Sequence, residues 1–185
     1  MKSQPTVQTE RLLLRPFEIT DASDVHRHVS DVRIASTTLR IPHPYEEGMA
    51  EAWIARRAET FEKEEGVTFA IVRRGDHALI GAISLHFNHP DVHAELGYWI
   101  GAPHWGNGYG TEAARAMLGY GFGEWGLHRI VARHLSRNPA SGRVMQKIGM
   151  TREGELRQHV LKWGVFEDLT CYGILKSEYD AQKEG

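Results

Sequence analysis

Cysteine is almost absent from this chain of 185 residues: Cys171 is the only one. One thiol cannot close an internal disulfide, which excludes a stapled secreted scaffold and fits a reducing cytoplasm, the expected location. Cys171 lies in an apolar, strand-like run and reads as a buried bystander, not a nucleophile. An excess of one charge is also missing. Lys and Arg total 22 against 24 Asp and Glu, a formal net charge of −2. That balance gives no basic stripe for nucleic acid or an anionic membrane. No apolar run approaches a membrane span. The opening Met1-Lys2-Ser3-Gln4-Pro5-Thr6 is polar and lacks the apolar core of a signal peptide. Neither a linker nor a repeat divides the chain, and its length suits a single domain over residues 1–185.

What is present is a steady alternation of strand and helix patterns. Residues 11–15 read as a strand stopped by Pro16, and Thr20-Asp21 opens a helix through Val25 and Val29 with Thr20 as N-cap. Two prolines make residues 38–45 a loop. A second helix is predicted over 46–65, with Met49, Trp53, Ile54, Ala58 and Phe61 roughly on one face and Gly66 ending it. Strands follow at 67–73 and 78–87, joined through Gly75-Asp76, and at 92–100. Next come a helix to about Gly123, a strand at 128–136, and a short helix opened by Pro139 that ends near Gly149. Strands at 155–161 and 166–175 turn through Trp163-Gly164. The order β-α-α-β-β-β-α-β-α-β-β is a mixed α/β layout on a largely antiparallel sheet. Gly119, Gly121 and Gly123 each cost roughly 1 kcal/mol against Ala inside a helix, which signals close packing or an early end.

The most informative segment is Trp105-Gly106-Asn107-Gly108-Tyr109-Gly110-Thr111. It follows the extended-looking Glu95-Leu96-Gly97-Tyr98-Trp99-Ile100 and leads into an Ala-rich helix. Strand, glycine loop and helix start together form a local device for holding an anion. Glycine lets the backbone come close, and free N–H groups of the first turn point outward with the helix dipole behind them. From these residues alone two readings stand, a phosphate cradle and an ordinary left-handed turn before a helix. A dinucleotide fingerprint fits poorly, because the third glycine spacing fails along Gly108-Tyr109-Gly110-Thr111-Glu112-Ala113.

These residues resemble the GNAT superfamily of acetyl-coenzyme A-dependent N-acetyltransferases. Gly108 and Gly110 match its signature loop. The opening Thr9-Glu10-Arg11-Leu12-Leu13-Leu14-Arg15 is similar to the ribosomal-protein N-terminal acetyltransferase branch. So are Gly97-Tyr98-Trp99-Ile100, the Asn138-x-x-Ser141 pair, Gln146-Lys147-Ile148-Gly149-Met150 and the ending from Cys171 to Tyr179. The resemblance implies a mixed α/β (α+β) fold with a largely antiparallel sheet of about seven strands and helices on both faces. It implies acetyl-CoA as co-substrate, its pyrophosphate held by backbone groups of Gly106, Asn107, Gly108, Tyr109, Gly110 and Thr111. Tyr98, Trp99 and Ile100 are implied to line the pantetheine arm through their main chain, and Asn138 and Ser141 to contact the cofactor. Trp105 stands where the family has Gln or Arg, and Met145 where many members carry a tyrosine acid.

For the chemistry, Glu95 is the candidate base. An attacking amine must shed a proton, and α-amino groups and lysines have pKa values of about 7.7–8.0 and about 10.4. His93 and Tyr98 are lesser alternatives, and a solvated strand glutamate is the plain structural reading. Ser141 is the candidate acid for the departing thiolate, with a helix-start serine as its plain reading. Asn138 before Pro139 is a good N-cap, its oxygen accepting an N–H while its NH₂ stays free for the cofactor. His86, His89 and His93 cross a proline-containing loop and give no metal-ligand pattern, so no metal is expected. The resemblance implies an acceptor groove at the Arg40–Tyr45 loop and the Arg157–Asp168 hairpin, with Arg40, His43, Tyr45 and Trp163 as guesses; a structural ion pair is an equal reading of Arg157 and Asp168. The expected reaction is direct attack by a primary amine, either a protein N-terminus or a small molecule, in a ternary complex. The alternative is a non-catalytic acyl-CoA sensor. No nucleic acid or membrane is expected as partner, and a homodimer is common among similar proteins.

Overall fold

Leu12 and Leu14 are fully buried, whereas Leu13 and Arg15 between and after them are half-buried. That period of two makes β2 (Leu12–Arg15), which pairs antiparallel with β1 (Val7–Gln8) and β3 (Gly66–Arg73). The computed structural model describes residues 3–184. Met1 and Lys2 of the polar opening, and Gly185, lie outside the described residues. Beyond β3 the chain adds β4 (Leu79–Asn88), β5 (His93–Ile100), β6 (Arg129–Leu135), β7 (Thr151–Lys162) and β8 (Val165–Leu175). Together they form one eight-stranded sheet, ordered β1-β2-β3-β4-β5-β6-β8-β7. Every neighbouring pair is antiparallel except β5 and β6. The sheet is therefore mixed and largely antiparallel, as expected, with the two-residue β1 as an additional edge.

Helices cover both faces. On one, α4 (Tyr109–Glu124) sets Ala113, Ala114, Met117 and Leu118 against Phe69, Ile71, Ile83 and Leu85. On the other, α1 (Ala22–Val29) and α3 (Met49–Glu62) set Val25, Val29, Ala50 and Ile54 against Ala70, Val72 and Leu79. Two shorter helices, α2 (Val32–Thr37) and α5 (Pro139–Lys147), and the C-terminal α6 (Lys176–Glu184) complete the set. Among the described residues no helix is long and apolar enough to cross a membrane.

The sheet explains the helical glycines. α4 does not stop early, so the reading that survives is close packing. A Cβ on Gly121 would lie 2.8 Å from Ile130 Cδ1, and one on Gly119 would lie 3.0 Å from the Tyr179 hydroxyl of α6. Other expectations need correction. Thr20 sits inside a 3₁₀ turn (Ile19–Asp21) and does not cap α1. Asp21 precedes α1 instead, its carboxylate taken by Arg15 at 2.7 and 2.8 Å and by the Glu18 N–H at 2.8 Å. The second predicted helix starts at Met49, because Gly48 adopts a left-handed φ of 83°. Helices α2 and α6 were not anticipated. The α2 cap is Asp31, which accepts the Arg33 N–H at 2.9 Å. Arg157 and Asp168 form no ion pair: Asp168 Oδ1 accepts the Gln158 N–H at 2.7 Å, at a bulge in β7.

Candidate active site

β5 and β6 run side by side only from His93/Arg129 to Leu96/Ala132. Past that point β5 continues to Ile100 against β4 alone, and β6 to Leu135 against β8 alone. The main chain of residues 97–99 and 133–135 thus has no strand across the gap. Leu135 O is taken by the Asn138 N–H at 2.7 Å and Gly97 O by Ser84 Oγ at 3.4 Å, and the remaining groups facing the gap have no strand partner there. A cavity of about 570 Å³ passes through this parting. Tyr98, Ser141 and Met145 line it on the α5 side, and Glu95, His86 and Trp99 on the side of α1 and α3.

The glycine loop lies at one end of the parting. A 3₁₀ turn (Ala102–His104) carries the chain from β5 to the loop, and Gly106 and Gly108 then take φ of 78° and 79°, a region closed to most side chains. Gly108 caps α4, and the first-turn N–H groups of Tyr109, Gly110 and Thr111 precede the ladder that begins with Glu112 N–H to Gly108 O at 3.0 Å. Trp105, which stands where the resembling family has Gln or Arg, donates its indole N–H to Ile100 O at 2.6 Å and so ties the loop to the strand end. Arg11, just before β2, braces the loop. It donates to Asn107 O at 3.0 Å and to Glu112 Oε2 at 2.7 Å, and its guanidinium lies 4.8 Å from the Tyr109 ring centre. Burial pushes the Glu112 carboxyl up, but hydrogen bonds from Thr9 and Arg11 outweigh it and leave the group below its ordinary range.

On the α5 side, Ser141 Oγ accepts from Asn138 Nδ2 at 3.2 Å and from the Tyr98 hydroxyl at 3.4 Å. With two donors aimed at its oxygen, the serine's own proton is left to point elsewhere. Burial raises the Tyr98 phenol, which stays protonated at neutral pH. Asn138 occupies the N-cap position as expected, but its side chain makes no capping bond; it donates to Ser141 and, at 3.5 Å, to Thr37 O. Met145 is buried against the cavity, and the hydroxyls on that side are those of Ser141 and Tyr98.

On the opposite side, Glu95 meets Arg133 of β6 through two bonds, of 2.6 and 3.2 Å. His86 is its cross-strand partner on β4. Burial, followed by the charge of Arg40, lowers the His86 pKa, so the ring is neutral at pH 7. Ser84 Oγ lies 3.3 Å from His86 Nε2. Tyr45 and Trp53 form part of the outer wall with Arg57. His43 contacts Trp163 of the β7–β8 turn, with ring centres 5.8 Å apart.

The structure therefore gathers Glu95, Tyr98, Trp99 and Ser141 around one cavity, with Asn138 behind Ser141. Gly106 to Thr111 do not line the cavity themselves, but reach it through Gly110, where a Cβ would stand 3.3 Å from the Tyr98 ring. Ile100 is a buried core residue beside them. Arg133, Arg57 and His134 were missed, and His86 was considered only as a metal ligand. Of the three histidines weighed for metal, His86 lines the cavity while His89 bonds Glu64 O at 2.5 Å; among the described residues no cluster of three such side chains is gathered. Cys171 is half-buried on β8, its thiol pushed up by burial and drawn partly back by Arg133.

The residues fit the cofactor that the family resemblance implies. The parted strands offer main-chain partners to an extended arm, and the positive-φ glycines let a diphosphate approach the α4 terminus. His134 is 7% exposed, with Nδ1–H tied to Leu135 O at 2.8 Å and Nε2 without any partner beside Ser141 and Gly142. A buried ring nitrogen left unpaired is costly unless a ligand meets it.

Residues 11–151 match the acetyltransferase (GNAT) domain family. The uncharacterized N-acetyltransferase YnaD of Bacillus subtilis (strain 168) is 36% identical over 177 residues, covering 94% of this chain and 99% of that protein. Among solved structures, a GNAT-family acetyltransferase from Bacillus anthracis superposes with a TM-score of 0.84 at 30% identity, covering 94% of this chain and 99% of the other. The microcin C7 self-immunity acetyltransferase MccE, solved with acetyl-CoA and AMP, shares the fold with a TM-score of 0.81 at 20% identity, over 90% and 93% of the two chains.

Proposed function

The chain belongs to the acetyltransferase (GNAT) family and is an acetyl-CoA-dependent N-acetyltransferase, and from that premise we propose how its own residues carry the transfer. Bound acetyl-CoA supplies an activated acetyl thioester. Backbone N–H groups from Gly106 to Thr111 hold the diphosphate, and the open main chain of Tyr98 and Trp99 aligns the arm, with Ile100, whose carbonyl is taken by Trp105, ending the lining. Asn138 and Ser141 lie at its reactive end. Glu95 accepts the proton that the attacking amine sheds. Ser141 gives its hydroxyl proton to the departing sulfur and takes one back from the Tyr98 hydroxyl, which regains a proton from water in the cavity. Glu95 releases the amine proton to solvent, so that the two transfers balance. Attack is direct, within a ternary complex, and holding both reactants in line removes much of the entropy of encounter.

One observation carries this reading: a single cavity runs through the parted strands, with Ser141 on one side and Glu95 on the other. An acyl-CoA sensor would need the cradle alone, and the family with its N-acetyltransferase relatives favours the enzyme. The acceptor is a protein N-terminal amine or a small amine. The family match and the continuous sheet support one catalytic domain, and the unpaired Cys171 supports a cytoplasmic location. A homodimer is supported by the apolar β7–β8 tip, where Leu161 and Phe166 are each 62% exposed.

Calorimetry with acetyl-CoA, paired with thiol release over an amine and peptide library, tests the reading. Cofactor binding with acceptor-dependent thiol release is the expected result. Binding without release across the whole library would favour the sensor, and no binding would remove the cradle.

A further inference from the structure

The outer half of the cavity carries two guanidinium charges, the half-buried Arg57 and the exposed Arg40, that no carboxylate among the described residues answers. Arg57 of α3 and Arg40 of the preceding loop both line it. Arg57 is half-buried. Its Nε–H donates to Trp53 O at 2.9 Å, and its guanidinium lies 4.8 Å from the Trp53 ring centre. Among the described residues neither arginine meets a carboxylate, and Arg40 makes no hydrogen bond. The cavity's third guanidinium, Arg133, is committed to Glu95. Among the described residues the one other lining carboxylate is Glu65, which is exposed. Several other arginines are answered in place, Arg11 by Glu112, Arg15 by Asp21, Arg129 by Glu153 and Arg137 by Glu167; what sets Arg57 apart is that it is half-buried in the cavity wall without such a partner. An unmatched guanidinium held partly out of water against an indole is unfavourable unless an anion completes it.

Both arginines also act on His86, whose pKa they lower, which sets their charge beside the Glu95 end of the cavity. Burial, and after it the neighbouring Arg56, lowers the pKa of Arg57 itself. A polyamine entering here would meet two like charges and one committed carboxylate. A planar guanidinium is instead shaped to take two oxygens of one carboxylate or phosphate.

We propose that the acceptor is an amine bearing its own anionic group, a carboxylate or a phosphate, which seats on Arg57 and Arg40 while the amine is presented at Glu95. This rests on the acetyltransferase reading of the same cavity. Four tripeptides with free N-termini and amidated C-termini separate the cases: Ala-Asp-Ala, Ala-phosphoSer-Ala, Ala-Asn-Ala and Ala-Lys-Ala. Each is titrated by calorimetry into the CoA-loaded protein and assayed for thiol release from acetyl-CoA. Charge-assisted hydrogen bonds of this kind predict about tenfold or greater preference for an acidic peptide over the Asn peptide, in affinity and in kcat/KM. The Asp and phosphoSer arms tell carboxylate from phosphate. In Arg57→Gln and Arg40→Gln that ratio falls toward one, while acetyl-CoA affinity reports that each variant is folded. Equal binding of all four peptides, preference for the Lys peptide, no binding of any, or a ratio that survives both substitutions overturns the proposal. Charge-dependent binding without acetyl transfer would instead sink the catalytic reading and leave the anion seat standing.

Discussion

Arg133 holds Glu95 with both arms of one guanidinium, Nη2 at 2.6 Å from Oε2 and Nε at 3.2 Å from Oε1. The pair bridges β5 and β6 just where they part, so one contact both steadies the opening and aims a carboxylate into the cavity. Each carboxylate oxygen keeps a second lone-pair site for an amine proton. A base and a structural brace predict different outcomes. Glu95→Gln is expected to lower turnover by about 10²–10⁴-fold, most steeply with lysine-like amines. Arg133→Gln leaves the carboxylate in place and costs less. Steady-state kinetics across pH decide the matter: equal losses in the two variants, or full activity of Glu95→Gln at every pH, remove Glu95 as base.

Ser141 Oγ accepts from two donors, Tyr98 and Asn138, and in the proposed mechanism its own proton goes to the sulfur. Ser141→Ala is expected to slow thiol release by about 10²-fold or more, with acetyl-CoA affinity largely kept. Tyr98→Phe removes the resupply and is expected to cost less than the serine. Stopped-flow thiol detection beside calorimetry makes the comparison, and unchanged release in Ser141→Ala would dismiss it as the acid.

The cradle makes a steric prediction. At Gly108 a new Cβ would find space, since its nearest neighbour, Arg11 Nη2, is 3.5 Å away, but the φ of 79° is strained for a side chain. Gly108→Val is expected to distort the loop at a cost of about 1–3 kcal/mol and to raise KM for acetyl-CoA by about tenfold or more. An unchanged KM would mean that the diphosphate binds elsewhere.

Much of this was legible in the chain because it is written locally. The strand-loop-helix passage through Gly108, the turn at Trp163-Gly164 and the cap position of Asn138 each depend on neighbours within a few residues. What escaped depends on register or on distant partners. Arg133 acquires its meaning only when β6 lies parallel to β5 and brings it to Glu95, 38 residues away in the chain. His86 faces Glu95 through the β4–β5 register, and Arg57 reaches the cavity only because α3 packs across that face. Helix α2 is six residues with no apolar periodicity long enough to see, and the Arg157–Asp168 pair failed because a bulge in β7 turned a backbone N–H toward the aspartate instead. His134 looked like any strand residue, since nothing local reveals an unpaired ring nitrogen.

A last prediction concerns acid sensitivity. His28 is 5% exposed on α1, its Nε2–H donating to Leu79 O at 3.0 Å, with its ring 5.7 Å from that of His104. Burial lowers its pKa below the ordinary value of about 6.5, Arg27 adds to the shift, and the Leu79 carbonyl and Asp24 oppose it. The folded state thus binds the proton less well than the unfolded chain. The stabilisation is complete above about pH 6.5 and is lost as pH falls toward the folded-state value. Burial lowers the His86 and His104 pKa values in the same sense. Thermal melts at pH 7.5 and 5.5 should show a lower Tm at the acid value. His28→Leu leaves the Leu79 carbonyl without its donor, so it should melt lower at pH 7.5, by an amount equivalent to about 1–3 kcal/mol. It should also lose less between the two pH values, because one buried titration is gone. Identical pH slopes in the two proteins would show that His28 contributes nothing to the acid response.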